Sequence, residues 1–579
     1  MEIMLKAGAD LNRPDGNDHT ALFYAAAESQ TKALAWLLKH RAEVKGWDSC
    51  KTDPLCTAAA NGHLPCVATL LAAGAPIISG RQHGLSALSV AVQYGYTEIL
   101  KLLVEKGGSV GAESTPCGAT PLLTAASWGR VACMDVLLKA GADLNRPDGH
   151  NRTALFYAAA EGQMQALAWL LEHKAEVKGW ESYKTDPLCA AVANGYLVCV
   201  EALLAAGAPI ISGRQHGLSA LSVAVQYNHT EILKLLLEKG GSVNAEGTPY
   251  GGTALLSAAR RGRVACMEIL LQAGADLNRP DRSGHTALFY AAGEGQAQTL
   301  AWLLEHRAEV KGWDSYKTDS LCAAAINGHL SCVEILLAAG APVISGRQHG
   351  FSALNCAIQN GHAAIVKLLV DSADWVNTDD SAPYGGTPLL TAARRGRVAC
   401  MEILLKAGAD LNRPDRNDRT ALFYAAAEGQ TQALSWLLEH RAEVKDWDSY
   451  KTDPLCAAAT NGHLPCVQTL LAAGAPIISG SRHGFSALNG AAQNGHAAIV
   501  KLLVGSTDWV NTDSTPYGGT PLLTAARRGR VACMEILLKA GADPERSDKN
   551  GLTALEYAQR NGHVEAVRLL LSHDEKRAG

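Results

Sequence analysis

The stretch TALFYAAAEGQTQALSWLLEH (Thr420–His440) contains two short helical patterns in succession. Thr420 is a suitable N-cap for the first, and Gly429 ends it. The second is amphipathic, with Leu434, Leu437 and Leu438 on one face, and a polar turn follows. One such pair of helices cannot bury its apolar face alone, whereas stacked pairs can. The stretch therefore predicts a solenoid without a central core.

The same pattern recurs along the whole chain of 579 residues. The motif LNRPD, for example, begins at Leu11, Leu144, Leu277 and Leu411, so that blocks of nearly equal length follow one another. Within each block, a residue suited to capping a helix recurs at a period of about 33 residues, as at Thr20, Asp53, Ser86 and Thr120. Repetition at this interval is the signature of a repeat protein.

Two units carry a resemblance to a known family. They read TPLLTAARRGRVACMEILLKAGADLN (Thr387–Asn412) and DKNGLTALEYAQRNGHVEAVRLLLSHD (Asp548–Asp574). Both closely resemble the ankyrin repeat, and the resemblance extends over essentially the whole chain. It implies an all-α solenoid of about 17 repeats, each of about 33 residues with a β-turn and two antiparallel helices. It also implies that the turns project as fingers and, with the first helices, line a concave face.

The organisation expected from this resemblance has three parts. Residues 1–14 form a partial repeat, 15–547 form four blocks of four repeats, and 548–579 form a more polar capping repeat with a charged tail. Because MEIMLKAGAD at Met1 matches MEILLKAGAD at Met401, the first repeat lacks its first helix. We therefore expect a truncated start, with further repeats or another domain upstream.

Composition limits the functional classes. Charged residues make up 19% of the chain, hydrophobic residues 47%, and the net charge is −4, which argues against disorder and against general nucleic-acid binding. The uncharged segments 54–80 and 454–480 are interrupted by proline and glycine, so we expect no membrane span. No signal peptide is recognisable at the N-terminus. We expect a monomer in the cytoplasm or nucleus that binds protein partners of unknown identity.

Catalysis is not expected. With about 10 Å per stacked repeat, copies of a motif in successive blocks lie about 40 Å apart and cannot converge on one substrate atom. The sequence contains no glycine-rich phosphate loop ending in GK and no HExxH motif. Cys56, His63 and Cys66 are close in sequence, but both cysteines fall at packing positions of the repeat. We therefore expect neither a metal nor a cofactor.

Three arginine runs end first helices. The resemblance to ankyrin repeats implies that the first two residues of each run lie on the concave face: Arg260, Arg261, Arg394, Arg395, Arg527 and Arg528. One interpretation is a series of basic steps that bind an acidic or phosphorylated peptide. The other is a set of solvated helix ends, where cations suit the helix dipole. The first block has Ser127, Trp128 and Arg130 instead.

Aromatic residues recur in the turns, as in VKGWDSYKTD (Val310–Asp319). Aligned repeats place Tyr, His and Tyr at the tips of successive fingers, which are favourable positions for interface anchors. The predicted tip residues are Tyr183, His216, Tyr250, Tyr316, His349, Tyr384, Tyr450, His483 and Tyr517. Below the tips lie Trp180, Trp313 and Trp447, which either contact the partner or brace the neighbouring finger.

Two further expectations follow from the alignment. The glycine that usually follows the second helix is replaced by Arg41, Lys174, Arg307 and Arg441, and a positive φ there would cost on the order of 1 kcal/mol. The tryptophans that precede Leu-Leu in second helices are expected in the core: Trp36, Trp169, Trp302 and Trp436. Functionally, the sequence predicts a non-catalytic scaffold or adaptor. The alternative is the recognition arm of a larger enzyme, such as a kinase or ubiquitin-ligase component.

Overall fold

The computed structural model describes residues 2–44, 52–77, 86–113, 118–177, 184–210, 219–247, 251–310, 319–343, 352–371, 376–377, 386–444, 452–477, 486–505, 510–511 and 519–578. The described residues form 35 helices. The chain divides into two compact units, Met1–Ala287 and Leu288–Gly579. Within each unit, a first and a second helix alternate along the chain.

Unit one begins with a single short helix, Glu2–Lys6. Its first helices are Ala21–Ala27, Pro54–Ala60, Ala87–Tyr94, Pro121–Ser127, Ala154–Ala160, Pro187–Asn194, Ala220–Tyr227 and Ala254–Arg261. Its second helices are Thr31–Lys39, Leu64–Ala72, Thr97–Glu105, Val131–Lys139, Met164–Glu172, Leu197–Ala205, Thr230–Glu238 and Val264–Gln272.

Unit two has the same alternation. Its first helices are Ala287–Gly293 (which begins at the boundary), Ser320–Asn327, Ala353–Asn360, Pro388–Arg394, Ala421–Ala427, Pro454–Asn461, Ala487–Asn494, Pro521–Arg527 and Ala554–Arg560. Its second helices are Ala297–Glu305, Leu330–Ala338, Ala363–Asp371, Val398–Lys406, Thr431–Glu439, Leu464–Ala472, Ala497–Val504, Val531–Lys539 and Val564–Ala578.

Local signals fix the ends of the first helices. The Thr420 hydroxyl accepts a hydrogen bond from the backbone N–H of Phe423, and the Asp453 carboxylate accepts one from Leu455. Proline follows the cap at Pro454, where the missing N–H has no helical partner to lose. Gly462 ends the same helix at a φ of 86°, a conformation that glycine adopts without steric cost.

In each unit, the core is a row of small and branched apolar side chains between stacked pairs. The fifth residue after each N-cap is an alanine buried in every first helix, from Ala25 to Ala558. Leucines of the second helices, such as Leu434 and Leu437, are also buried. Because each helix pair packs mainly on its neighbours, the predicted all-α solenoid of paired helices is confirmed.

A row of side chains joins successive repeats across the glycines that end first helices. His496 hydrogen-bonds through Nε2 to the carbonyl oxygen of Thr460 at 3.1 Å, and its ring crosses Gly462, where a Cβ would lie 2.6 Å from Cε1 of His496. Arg530 makes the equivalent bond to Gln493. These bonds satisfy carbonyl groups that the helix ends leave without a helical partner.

The turn after the second helix has the positive φ that was expected where another residue replaces glycine. Arg41, Lys174, Arg307 and Arg441 have φ values of 67°, 63°, 64° and 66°. Three of the four predicted core tryptophans, Trp169, Trp302 and Trp436, are buried. Trp36 is only partly buried, since the helix described before its repeat is the five-residue Glu2–Lys6.

Candidate functional site

The predicted finger tips lie outside the described residues. This applies to all nine tip residues and to the three tryptophans below them: Tyr183, His216, Tyr250, Tyr316, His349, Tyr384, Tyr450, His483, Tyr517, Trp180, Trp313 and Trp447. Their role in partner binding stays a prediction.

The ends of the first helices form the other part of the predicted surface. We use the term end position for the eighth residue after each first-helix N-cap. It is exposed in all seventeen repeats. Its residues are Glu28, Asn61, Tyr94, Trp128, Glu161, Asn194, Tyr227, Arg261, Glu294, Asn327, Asn360, Arg395, Glu428, Asn461, Asn494, Arg528 and Asn561. Five residue types thus occupy one exposed position, whereas the buried position three residues earlier is alanine throughout.

The six arginines predicted as basic steps lie at the end position or immediately before it, and all six are exposed. For Arg394 the partner lies in the next repeat. Arg394 donates from Nε to Oε1 of Glu428 at 3.0 Å, and its Cζ lies 5.8 Å from the ring centroid of Tyr424. Arg394 therefore forms an ion pair with a carboxylate of the protein itself.

Exposed aromatic side chains occupy three end positions in unit one. Tyr94, Trp128 and Tyr227 are 52%, 51% and 51% exposed. The ring of Tyr94 stacks at 6.3 Å with that of Tyr96, and Tyr227 does so with His229. The aromatic contacts predicted from the sequence lie on the fingers; of these three residues only Trp128 was noted, as a replacement in the arginine run, and none was predicted to bind a partner. The sequence signal for these residues is an aromatic side chain at the last position of a first helix, as in Tyr94 and Tyr227, or immediately after it, as in Trp128.

A tyrosine of the first helix fixes the turn that precedes it. In the second LNRPD block, the backbone N–H groups of His150 and Arg152 donate to Oδ1 of Asp148, and the Tyr157 hydroxyl donates to Oδ2 at 2.7 Å. Burial and this hydrogen bond raise the pKa of Tyr157 to about 12. Asp15–Tyr24, Asp415–Tyr424 and Asp548–Tyr557 form the same pair.

The described cysteines behave as packing residues. Cys56 and Cys66 are buried, and His63, between them in sequence, bonds to the carbonyl oxygen of Ala27. Burial raises the pKa of the Cys332 thiol to about 11. Within the described part of the chain, no cluster of three or more His, Cys, Asp or Glu side chains is placed to hold a metal ion. No helix among those described is long and apolar enough to cross a membrane.

The paired helices, the capped turns and the glycine-ended first helices correspond to a known family model, ankyrin repeats in three copies. The model matches overlapping segments that run without a gap from residues 1–79 to residues 488–578. The chain belongs to the ankyrin repeat family. Ankyrin repeats form protein–protein interaction domains, and this ankyrin array extends over the whole chain.

Relatives of this ankyrin array include long proteins of which it matches a small part. Ankyrin repeat domain-containing protein SAT10 of Stachybotrys chartarum is 28% identical over 282 residues, 48% of this chain and 12% of the relative. E3 ubiquitin-protein ligase KEG of Arabidopsis thaliana is 25% identical over 293 residues, 49% of this chain and 16% of the relative. The human ASB11 ankyrin repeat domain is a similar solved structure, with 32% identity, a TM-score of 0.34, and coverage of 38% of this chain and 97% of that one.

Proposed function

We propose that this ankyrin array is a non-catalytic scaffold or adaptor that binds protein partners along its first-helix ends and finger tips. The observation that supports the proposal is the contrast between two positions of the same helix. The buried alanine is the same in every repeat, whereas the exposed end position varies among Glu, Asn, Tyr, Trp and Arg. Packing accounts for the constant position. Asparagines at the variable position also donate to backbone carbonyls of the preceding repeat, but the position stays exposed and its side chain is free to differ, as recognition of a partner requires.

Two variants of the full chain with equal added charge test this proposal. In the first-helix variant, four end-position asparagines become lysine: Asn327→Lys, Asn360→Lys, Asn461→Lys and Asn494→Lys. In the second-helix variant, exposed residues of the same four repeats become lysine: Ser331→Lys, Ala364→Lys, Gln468→Lys and Ala498→Lys. Both variants gain four positive charges and leave the buried side chains unchanged. The first-helix variant also loses the asparagine hydrogen bonds to backbone carbonyls, so the urea midpoints of both variants are compared with that of the parent.

The measurement is quantitative affinity purification of cell partners with the parent chain and both variants. We expect the first-helix variant to lose a defined set of partners that the second-helix variant retains. Circular dichroism should give the same helix content for all three. Equal partner sets for the two variants would contradict binding along this surface.

A second candidate function is the recognition arm of a larger enzyme. It is favoured by one observation, the similarity of about half of the chain to part of an E3 ubiquitin-protein ligase of Arabidopsis thaliana. Sequencing of full-length transcripts tests it. A reading frame that joins this array to a kinase or ligase domain would support it, and one that starts at Met1 behind a stop codon and ends at Gly579 would exclude it.

A further inference from the structure

The ion pair between Arg394 and Glu428 defines a site that accepts an arginine. The acceptor consists of two residues one turn apart on a first helix, Tyr424 and Glu428. The carboxylate binds the guanidinium at 3.0 Å, and the tyrosine ring lies 5.8 Å from its Cζ. The arginine comes from the end of the preceding first helix. This intramolecular contact shows that a tyrosine and a glutamate in this arrangement bind an arginine side chain.

The same acceptor occurs in unit one with a different neighbour. Tyr157 and Glu161 occupy the positions of Tyr424 and Glu428, and Glu161 is exposed. The place of Arg394 is taken by Ser127, which is uncharged and too short to form the ion pair. The acceptor is therefore repeated without the arginine that fills it in unit two.

The two sites share the same stacking register. A Cβ on Gly396 would meet the side chain of Gln430, and a Cβ on Gly129 would meet that of Gln163. In both tyrosines the hydroxyl is held by an aspartate of the preceding turn, at 2.6 Å for Tyr424 and 2.7 Å for Tyr157. The acceptor tyrosines are consequently fixed in the same way.

The surroundings of Glu161 favour an outside ligand. The end position of the preceding repeat is Trp128, 51% exposed, and the one before that is Tyr94, 52% exposed. Exposed Trp and Tyr rings bind cations on their faces and cover the apolar stem of an arginine. Arg130 donates to the Gln93 carbonyl. Arg152 lies over the Phe156 ring and also interacts with Tyr157. Arg419 likewise interacts with Tyr424 at the site that Arg394 fills, so Arg152 does not take the place of Arg394.

We propose that Tyr157 and Glu161 bind an arginine side chain presented by an extended segment of a partner protein, and that the rest of this segment runs over Trp128 and Tyr94 at the ends of the two preceding first helices. The inference rests on the proposed scaffold function and specifies one of its contacts. Arginine is preferred over lysine because its planar guanidinium can pair with a carboxylate through two parallel hydrogen bonds and stack on aromatic rings.

The test uses a phage-displayed library of random 12-residue peptides selected on the full chain. Selected peptides are synthesised with arginine, lysine or citrulline at each arginine position, and their affinities are measured by fluorescence polarisation. Three variants of the chain are compared: Ser127→Arg, which supplies the arginine internally, Glu161→Gln, and the matched control Glu428→Gln, whose carboxylate is already engaged by Arg394.

We expect Ser127→Arg to weaken binding about tenfold because its side chain occupies Glu161. Glu161→Gln and citrulline in the peptide should weaken it about as much, because each removes a charge-assisted hydrogen bond. Glu428→Gln should leave the affinity unchanged. Replacement of the peptide arginine by citrulline should not weaken binding to the Glu161→Gln variant any further. Thermal unfolding of the variants checks that the fold is intact.

Several outcomes would overturn the arginine site. They are selection of no peptide, selected peptides without a required arginine, or affinities that Ser127→Arg and Glu161→Gln leave unchanged. None of these outcomes decides the scaffold function, because the affinity purification that tests it uses substitutions in unit two. Equal partner sets in that comparison, by contrast, would reject the scaffold function whatever the peptides show.

Discussion

The Tyr157 hydroxyl donates a hydrogen bond of 2.7 Å to Oδ2 of Asp148, nine residues earlier in the chain. Asp148 is 4% exposed, and its other carboxylate oxygen accepts the backbone N–H groups of His150 and Arg152. One carboxylate thus closes the turn and ties it to the following helix. Similar pairs in other repeats make this a regular device for holding the fingers on the first helices.

Replacement of Tyr157 by phenylalanine should destabilise unit one. The buried Asp148 oxygen loses its partner, and we expect the free energy of unfolding at pH 7 to fall by about 1–2 kcal/mol. Urea unfolding followed by circular dichroism measures the loss. Tyr94→Phe is the control, because the Tyr94 side chain is 52% exposed and its substitution should have no measurable effect.

The same variant should change the response to alkaline pH. The pKa of Tyr157 is raised to about 12 in the folded protein, whereas the pKa of tyrosine in an unfolded chain is about 10. The stabilisation by protonated Tyr157 is therefore complete below about pH 10 and disappears as the pH rises through about 12. The difference in unfolding free energy between parent and Tyr157→Phe should shrink over that range. A constant difference from pH 9 to 12 would contradict this assignment.

Arginine at position 441 should be less favourable than glycine. Arg441 has a φ of 66°, and the equivalent residue one repeat later is Gly474 with a φ of 80°. A side chain in this left-handed region costs about 1 kcal/mol relative to glycine. Arg441→Gly should raise the free energy of unfolding by that amount and Gly474→Arg should lower it, both measured by urea unfolding. Effects of the same sign would show that the side chains, and not the backbone, determine stability at this turn.

Much of the fold could be predicted because the information is local and repeated. A cap such as Thr420, a terminating glycine such as Gly429 and leucines at helical spacing predict one pair of helices, and the regular recurrence of the pattern extends that result to the rest. The positive φ of Arg441 could also be predicted, because the repeat usually has a glycine with a positive φ at this position. These features depend on residues within a single repeat.

Contacts between repeats were harder to predict. The pairing of Arg394 with Glu428 joins residues 34 positions apart and depends on stacking register and side-chain rotamers. For the same reason, Arg394 was predicted from the sequence to bind a partner or solvent and not Glu428. Nothing in the sequence indicated that Glu161, which has Ser127 in place of an arginine, lacks this ion pair. The Asp148–Tyr157 pair lies within one repeat, but its recognition required the geometry of the turn.

Close contact across a glycine should be costly to disturb. Gly462 has a φ of 86°, and an added Cβ would lie 2.6 Å from Cε1 of His496. Gly474 has a similar φ of 80° but nothing within 4 Å of the added Cβ. We expect Gly462→Ala to destabilise unit two more than Gly474→Ala, because only the former displaces the His496 ring and its bond to Thr460. Equal losses in urea unfolding would assign the whole cost to backbone conformation.

The predicted finger tips can be tested directly on a partner identified by affinity purification. The variant combines Tyr316→Ala, His349→Ala and Tyr384→Ala in three neighbouring repeats. We expect it to retain the parent's helix content and urea midpoint, because the tip residues are predicted to lie outside the core. Its affinity should fall by at least tenfold if two of the three side chains are interface anchors.

The matched control changes exposed second-helix residues of the same three repeats, Glu334→Ala, Lys367→Ala and Glu402→Ala. It alters as many side chains but none on the finger tips, so the affinity should equal that of the parent chain. Isothermal titration calorimetry of all three proteins with the same partner gives the comparison. A tip variant that binds as tightly as this control would place the contact at the first-helix ends and remove the fingers from the binding surface.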